Sequence, residues 1–153
     1  MNKQPNSDHC FVCGRNNPRG LYMTFYDNGD DVVESHYTIP GSFQGYPGIV
    51  HGGIQASILD EIAGRISLIE DMHAFMMSVR LDVKYRHPVP TDEPLRIIAK
   101  REYLSDRYGQ ARCMIYLPDG QVASEASVKL VRLPEEARIS GDSSHVLGWR
   151  VDP

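Results

Sequence analysis

The chain has 153 residues and a formal net charge of −4, with 16 basic and 20 acidic side chains. Its composition, 41% apolar and 24% charged, predicts one folded domain rather than a disordered chain. No basic block points to nucleic acid, and no apolar run approaches the ~20 residues needed to cross a membrane. Because the N-terminus lacks an apolar signal core and the cysteine count, 3, is odd, we expect a cytoplasmic protein.

The first third of the chain predicts a polar segment followed by a hairpin. Residues 1–20 are rich in turn formers and are treated as an N-terminal segment. Residues 21–26 and 32–39 are typical of strands, and Asn28-Gly29 between them predicts a hairpin turn. A loop rich in glycine and proline follows at residues 40–50.

Residues 53–70 predict one long helix. Isoleucines recur every three or four positions and form a single apolar stripe, namely Ile54, Ile58, Ile62, Ile66 and Ile69. The opposite face collects Asp60 and the small residues Gly53, Ala56, Ser57, Ala63, Gly64 and Ser67. A solvated face would normally carry Lys, Glu or Gln, so a face of small residues predicts close approach by another helix or a ligand.

The second half of the chain predicts strands. Residues 75–85 alternate between apolar and polar except at Met76, which places Ser78 on the polar face. Three more strands are predicted at 95–104, 108–117 and 122–133. Pro118-Asp119-Gly120 predicts a tight turn before the last strand. Residues 134–153 are polar again and are predicted to form a tail, with Trp149 as its only large anchor.

This order of elements predicts an α+β fold within residues 21–133. One long helix would pack its apolar stripe on an antiparallel sheet of about five to six strands. The face of small residues would then remain uncovered, which predicts a second copy of the chain as its partner.

The segment Pro47-Gly48-Ile49-Val50-His51-Gly52-Gly53 leads directly into the helix. A Gly-Gly pair at a helix start leaves main-chain N–H groups open to a polarised carbonyl or an anion. Asp60 supplies a carboxylate, but at 1.5 Å per residue it lies about 12 Å from Gly52 along the axis. Two antiparallel helices across a two-fold axis would bring Gly52 of one chain beside Asp60 of the other, so the spacing predicts a composite site in a dimer.

These residues resemble a known family. The pattern Gly48-x-x-His51-Gly52-Gly53-(x)6-Asp60 is similar to the signature of hotdog-fold acyl-CoA thioesterases of the phenylacetate-pathway (PaaI-like) type. The resemblance includes Ser78-Val79-x-x-x-Val83-x-Tyr85-x-x-Pro88 and covers roughly residues 20 to 133. It implies the hotdog fold, hydrolysis of an acyl-CoA thioester to free acid and CoA, and a homodimer or a dimer of dimers (a homotetramer). It implies no cofactor, since CoA is part of the substrate.

The resemblance also implies roles for individual residues. The N–H of Gly52 would hold the thioester carbonyl oxygen, Asp60 would act as nucleophile or as general base on water, and Ser78 would help to orient that water. Many relatives carry Asn six residues before the His, whereas this chain has Gly45 there. Gln44 beside it is the candidate replacement for that amide.

Substrate binding is assigned to a few further positions. Gly45 and Gly53 would line the approach of the thioester to the helix start. The phosphates of CoA require basic groups, for which Arg86 and His87 near a strand end are candidates, together with Lys84 and Arg107.

Structural interpretations of the same residues remain open. Gly52-Gly53 also fits a tight loop, Asp60 a structural acid, and Ser78 a solvated strand face. His51 is expected to orient the loop rather than act as a base, and Glu61 to form an i,i+4 ion pair with Arg65.

Two other functions are kept as alternatives. The absence of the usual Asn favours a non-catalytic acyl-CoA or lipid-binding protein on the same fold. His51 and Asp60 could also converge across a dimer, as an enoyl-CoA hydratase or dehydratase requires.

The segment His9-Cys10-x-x-Cys13 suggests zinc, but a closed site needs four ligands. His9 directly adjoins Cys10, and Cys113, His36 or His145 would have to complete the set through the fold. We therefore expect packed or free thiols and no metal.

Overall fold

A computed structural model describes residues 1–134 and 146–153. One antiparallel sheet contains all the strands in the order β1-β2-β3-β5-β6-β7-β4. The strands are β1 (Asn2–Lys3), β2 (Tyr26–Asp27), β3 (Val32–Thr38), β4 (Met76–Tyr85), β5 (Pro94–Leu104), β6 (Tyr108–Tyr116) and β7 (Val122–Arg132). The described sheet has seven strands rather than five to six, because the N-terminal residues add β1 at one edge.

The helix α1 (Gly52–Gly64) packs against strands β4 to β7. It ends earlier than predicted, because the chain tightens at Gly64 into a 3₁₀ turn, Arg65–Leu68. Ile58, Ile62 and Ile66 are fully buried, which confirms the apolar stripe. Ala63 and Ser67 are also buried, so the uncovered face is narrower than predicted and consists of Gly53, Ala56, Ser57, Asp60 and Gly64.

The segment before β2 is less regular than the predicted strand 21–26. Its alternation persists in burial, with Leu21, Met23 and Phe25 in the core. The backbone of Tyr22, however, has φ +56°, in the left-handed region that interrupts a strand. The N–H groups of Leu21 and Met23 donate to carbonyls of residues 11 and 12, so the N-terminal segment takes the place of a neighbouring strand.

Strand β4 contains a β-bulge at Val79, where the pairing with β7 shifts by one residue. Met76 before the bulge and Val83 after it both pack against the core, although strict alternation would place them on opposite faces. The bulge therefore turns Ser78 towards the helix side. The prediction that Ser78 shares the polar face of Arg80 and Asp82 is wrong, because one extra residue reverses the order of the faces.

The turns and the C-terminal anchor follow the sequence. Asn28-Gly29 lies in the turn between the antiparallel pair β2 and β3, and Gly120, at φ +88°, closes the turn before β7. Trp149 stacks edge-on against Phe75 with ring centres 5.3 Å apart, as expected of an anchor. Within the described residues, no helix has both the length and the apolarity to span a bilayer.

Candidate active site

The first turn of α1 contains a main-chain N–H group that has no hydrogen-bond acceptor among the described residues. His51 caps the helix, since its Nδ1 accepts a hydrogen bond from the Gly53 N–H at 2.9 Å. The His51 carbonyl accepts from Ile54 and Gln55, and the N–H of Gly52 has no acceptor among the described residues. Because Nδ1 accepts, the neutral His51 ring carries its proton on Nε2. His51 thus orients the helix start, as predicted.

The loop before the helix is held by Gln44 and Gly45. The side-chain oxygen of Gln44 accepts from the Gly48 N–H at 3.1 Å, and the Gly45 N–H donates to the Ile49 carbonyl at 2.8 Å. A Cβ on Gly45 would lie 3.5 Å from Cδ2 of His51. The position at which many relatives carry Asn therefore adjoins the histidine ring, while the Gln44 oxygen is already used within the loop.

Two residues to which the sequence analysis assigned no role also fix the helix start. The hydroxyl of Tyr85 donates to the Gly52 carbonyl at 2.8 Å. Gln55 is buried; its amide donates to the Val50 carbonyl at 3.1 Å and its oxygen accepts from Ser124. A glutamine next to the isoleucine stripe was a signal for this buried network, whereas alternation alone indicated only a sheet face for Tyr85.

Asp60 and Ser78 meet in a cavity of about 360 Å³ between α1 and β4. The Ser78 hydroxyl donates a hydrogen bond to Oδ1 of the half-buried Asp60. The lining is mixed, with the apolar side chains Phe75, Met76 and Met77 beside the polar group Ser7, Cys10, Cys13 and Glu61. The cavity thus holds a carboxylate with one oxygen already hydrogen-bonded and with apolar surface nearby.

Within one chain the predicted residues form two separate groups. Gln44, Gly45, His51, Gly52 and Gly53 surround the helix start, and none of them lines the cavity that contains Asp60 and Ser78. The helical rise separates Gly52 from Asp60 by about 12 Å along the axis. A single carbonyl cannot contact both groups in one chain.

Arg86 and His87 follow the end of β4, next to Tyr85. The N–H groups of both donate to the Ala123 carbonyl, at 2.8 and 3.0 Å. The Arg86 guanidinium donates to Glu125 at 2.8 Å, which raises the pKa of Arg86 and lowers the pKa of Glu125. The His87 side chain is exposed and has no hydrogen-bond partner in the described part of the chain.

The predicted ion pair between Glu61 and Arg65 is confirmed at 3.1 Å. The other Glu61 oxygen lies 3.6 Å from the sulfur of Cys10. Contact between the two thiols raises the pKa of Cys10 and lowers the pKa of Cys13. The completing ligands considered from the sequence lie elsewhere: Cys113 is buried in β6, His36 pairs with Glu34, and His145 falls outside the described residues.

A helix packed on an antiparallel sheet, with a His-Gly-Gly segment at the helix start, can be compared with known protein families. The family model of the thioesterase superfamily matches residues 47–124, just over half of the 153 residues. The chain belongs to the thioesterase superfamily, and the expected family is confirmed.

Individual relatives agree with this assignment. Acyl-coenzyme A thioesterase THEM4 of Mus musculus is 26% identical over 116 residues, covering 75% of this chain and 49% of that protein. The chain thus spans about half the length of this curated relative.

A solved structure described as a thioesterase superfamily protein is 28% identical with a TM-score of 0.71, covering 80% of this chain and 63% of that one. The PaaI protein of the E. coli phenylacetic acid degradation operon superposes with a TM-score of 0.66 at 14% identity, covering 74% and 81%. These superpositions confirm the hotdog fold.

Ser78→Ala is expected to lower kcat at least about tenfold with little change in KM, because a hydrogen bond to a charged group contributes about 1.5–3 kcal/mol. Steady-state kinetics with a thioester substrate will measure this split. Ser78→Thr keeps the hydroxyl and is the matched control. Equal kcat values for the Ala variant and the wild type would show that Ser78 does not contribute to catalysis.

Proposed function

We propose that this chain hydrolyses acyl-CoA thioesters to free acid and CoA, at two equivalent sites shared between the subunits of a homodimer. The observation that carries the proposal is the presence, on one helix, of a Gly52 N–H without an acceptor among the described residues and of the hydrogen-bonded carboxylate of Asp60. The name of the mouse relative supports acyl-CoA as the substrate class. The proposal includes a cytoplasmic location, which the odd cysteine count supports because it fits a reducing compartment.

The helix start would stabilise the charge that develops during hydrolysis. Attack on a thioester moves negative charge to the carbonyl oxygen, and an N–H at a helix N-terminus stabilises it, helped by the helix dipole. His51 occupies the Gly53 N–H and leaves the Gly52 N–H for this oxygen. The hydrogen bond from Tyr85 to the Gly52 carbonyl fixes the following peptide, which links Gly52 to Gly53.

Asp60 would act on the thioester from the partner subunit. Ser78 donates to Oδ1, which leaves Oδ2 either to attack the carbonyl carbon or to remove a proton from water. Both routes require the carboxylate to be ionised. Both also place the Gly52 N–H and Asp60 around the same carbonyl.

The edge of the sheet supports the dimer. Strand β4 pairs only with β7 among the described strands, so its ten residues leave one edge free. Along it Met77, Val79, Leu81 and Tyr85 are exposed. A long apolar edge strand is a template for pairing with another chain. A two-fold axis beside β4 would also bring the uncovered faces of two α1 helices together.

We expect the protein in solution to have at least twice the chain mass of 17.2 kDa. The reason is that both the β4 edge and the uncovered helix face need a partner. Light scattering coupled to size-exclusion chromatography will measure the mass, and a dimer of dimers is included in the expectation. A stable, active monomer would contradict the shared site.

The CoA phosphates would lie near the end of β4. Arg86 and His87 stand next to Tyr85, which contacts Gly52, so both basic residues lie at the same end of the molecule as the helix start. Glu125 already pairs with Arg86, and the free His87 side chain is therefore the more available of the two.

A panel of acyl-CoAs with a thiol reagent that detects released CoA tests the proposal. CoA release proportional to enzyme supports hydrolysis, whereas binding of acyl-CoA without turnover supports a binding protein. Hydration of an enoyl-CoA without CoA release would identify a hydratase instead. The engagement of His51 Nδ1 in capping disfavours that alternative, since it withholds one ring nitrogen from acid–base work.

A further inference from the structure

A second cluster of chemistry-bearing side chains lies beside Asp60 and plays no part in the proposed hydrolysis. The sulfurs of Cys10 and Cys13 and a carboxylate oxygen of Glu61 all lie within 4.8 Å of one another. All three residues line the cavity that contains Asp60. We propose that Cys10, Cys13 and Glu61 bind a zinc ion whose fourth ligand is a water molecule from this cavity. The proposal departs from the expectation of free thiols, which did not consider Glu61 as a ligand.

The ligand spacing agrees with tetrahedral zinc. Zn–S distances of about 2.3 Å and Zn–O distances of about 2.1 Å at the tetrahedral angle place neighbouring sulfur and oxygen ligands about 3.6 Å apart. The Cys10 sulfur and Oε2 of Glu61 are 3.6 Å apart. Soft sulfur ligands combined with one carboxylate favour zinc over calcium or magnesium, which prefer oxygen.

Main-chain hydrogen bonds hold the loop that carries the two cysteines in a conformation suited to metal binding. The Val12 N–H donates to the Cys10 sulfur at 3.3 Å, and the Gly14 N–H donates to the Cys10 carbonyl at 2.8 Å. A Cβ on Gly14 would lie 2.3 Å from that carbonyl oxygen, so only glycine permits this turn. An N–H directed at sulfur stabilises a thiolate, the form that binds metal. The pKa of Cys10 is raised by Cys13 in the metal-free protein, and a zinc ion deprotonates a thiol that coordinates it.

Arg65 fixes the orientation of the Glu61 carboxylate. Its guanidinium donates to Oε1 of Glu61 and leaves Oε2 for the metal, as second-shell partners of metal ligands do. Arg65 is only 1% exposed and is held by the Pro5 carbonyl and by Asn6. The charges of zinc and Arg65 balance those of two thiolates and Glu61, so the cluster is neutral as a whole.

Zinc at this position would fasten the N-terminal segment to α1. Cys10 and Cys13 lie in that segment, whereas Glu61 lies on the helix directly after Asp60. The metal would therefore fix one wall of the cavity, and the proposed hydrolysis assigns no step to it. This role is independent of the proposed function.

The test is the zinc content of full-length protein purified under reducing conditions and then exchanged with zinc sulfate. We expect about one zinc per chain by elemental analysis. Cys10→Ser/Cys13→Ser should lose it, and Glu61→Gln should weaken its retention against a chelating dye at least about tenfold. Cys113→Ala removes a cysteine outside the cluster and should retain the metal. Cobalt in place of zinc should give the visible bands of a tetrahedral thiolate site.

Three results would overturn the proposal. Reduced wild-type protein that takes up no zinc excludes the site, whatever the variants do. Full zinc retention in a folded Cys10→Ser/Cys13→Ser protein places the metal elsewhere. A disulfide between Cys10 and Cys13 in protein that binds no zinc when reduced assigns the pair to thiol redox chemistry. Acyl-CoA hydrolysis in any of these cases leaves the proposed function standing.

Discussion

Replacing Asp60 with Asn is expected to lower kcat about 10²- to 10⁴-fold, the usual contribution of a positioned acid or base. Asn keeps the size of the side chain and can still accept the hydrogen bond from Ser78, so fold and assembly should be unchanged. Kinetics with an acyl-CoA that the wild type hydrolyses will measure the loss. Circular dichroism and size-exclusion chromatography will confirm the fold.

Asp82→Asn is the matched control for this change. Asp82 is an exposed carboxylate on β4, paired with Arg80 at 3.1 Å, and its loss should leave kcat near the wild-type value. Glu61→Gln provides the discriminating comparison, since Glu61 is the neighbouring carboxylate in the same cavity. A wild-type rate for Asp60→Asn with an inactive Glu61→Gln would transfer the catalytic role to Glu61.

The second large effect is expected from mixing two inactive proteins. Gly52→Pro removes the N–H and should abolish activity, as should Asp60→Asn. In a mixed dimer one site would carry both changes and the other neither, so co-expression should restore about half of the wild-type activity per dimer. Differently tagged chains, purified in sequence, provide the mixed dimer for the assay.

The structure indicates that Gly52→Pro removes the N–H group without disturbing the backbone at the helix start. Gly52 is the first residue of α1, where proline is tolerated, and its N–H has no acceptor to lose among the described residues. His51 before it has φ −56° and ψ 135°, the extended conformation that proline requires of its predecessor. Gly52→Ala keeps the N–H and places a Cβ 3.4 Å from Tyr85, so it separates crowding from loss of the donor. Mixed dimers as inactive as both parents would show that Gly52 and Asp60 do not cooperate across the interface.

The sequence was sufficient for the general architecture because periodicity reports burial directly. The isoleucine stripe from Ile58 to Ile66 and the alternation in β5 to β7 are local patterns that the tertiary structure preserves. The early end of α1 at Gly64 and the added strand β1 depend on contacts between the N-terminal segment and the rest of the fold. No local pattern contains such contacts.

Part of the candidate site could be predicted from the sequence, namely the residues that lie in one local segment. His51, Gly52 and Asp60 follow from a contiguous motif and from helical geometry. The approach of Glu61 to Cys10 joins residues 51 positions apart, and the hydrogen bond of Ser124 to Gln55 joins residues 69 apart. Such pairs emerge only once the sheet order is known.

The bulge at Val79 makes one position of β4 tolerant of a change in chain length. Val79 is 58% exposed and has no partner on β7, because Ser78 pairs with Leu130 and Arg80 pairs with the next residue, Lys129. Deleting Val79 would therefore leave the pairing on both sides of it unchanged. Ser78 would stay beside Asp60, and Val83 would stay against the core. Relatives can lack this one residue without losing the arrangement of the site, and alignments of relatives should accept a single-residue gap in β4 at this point.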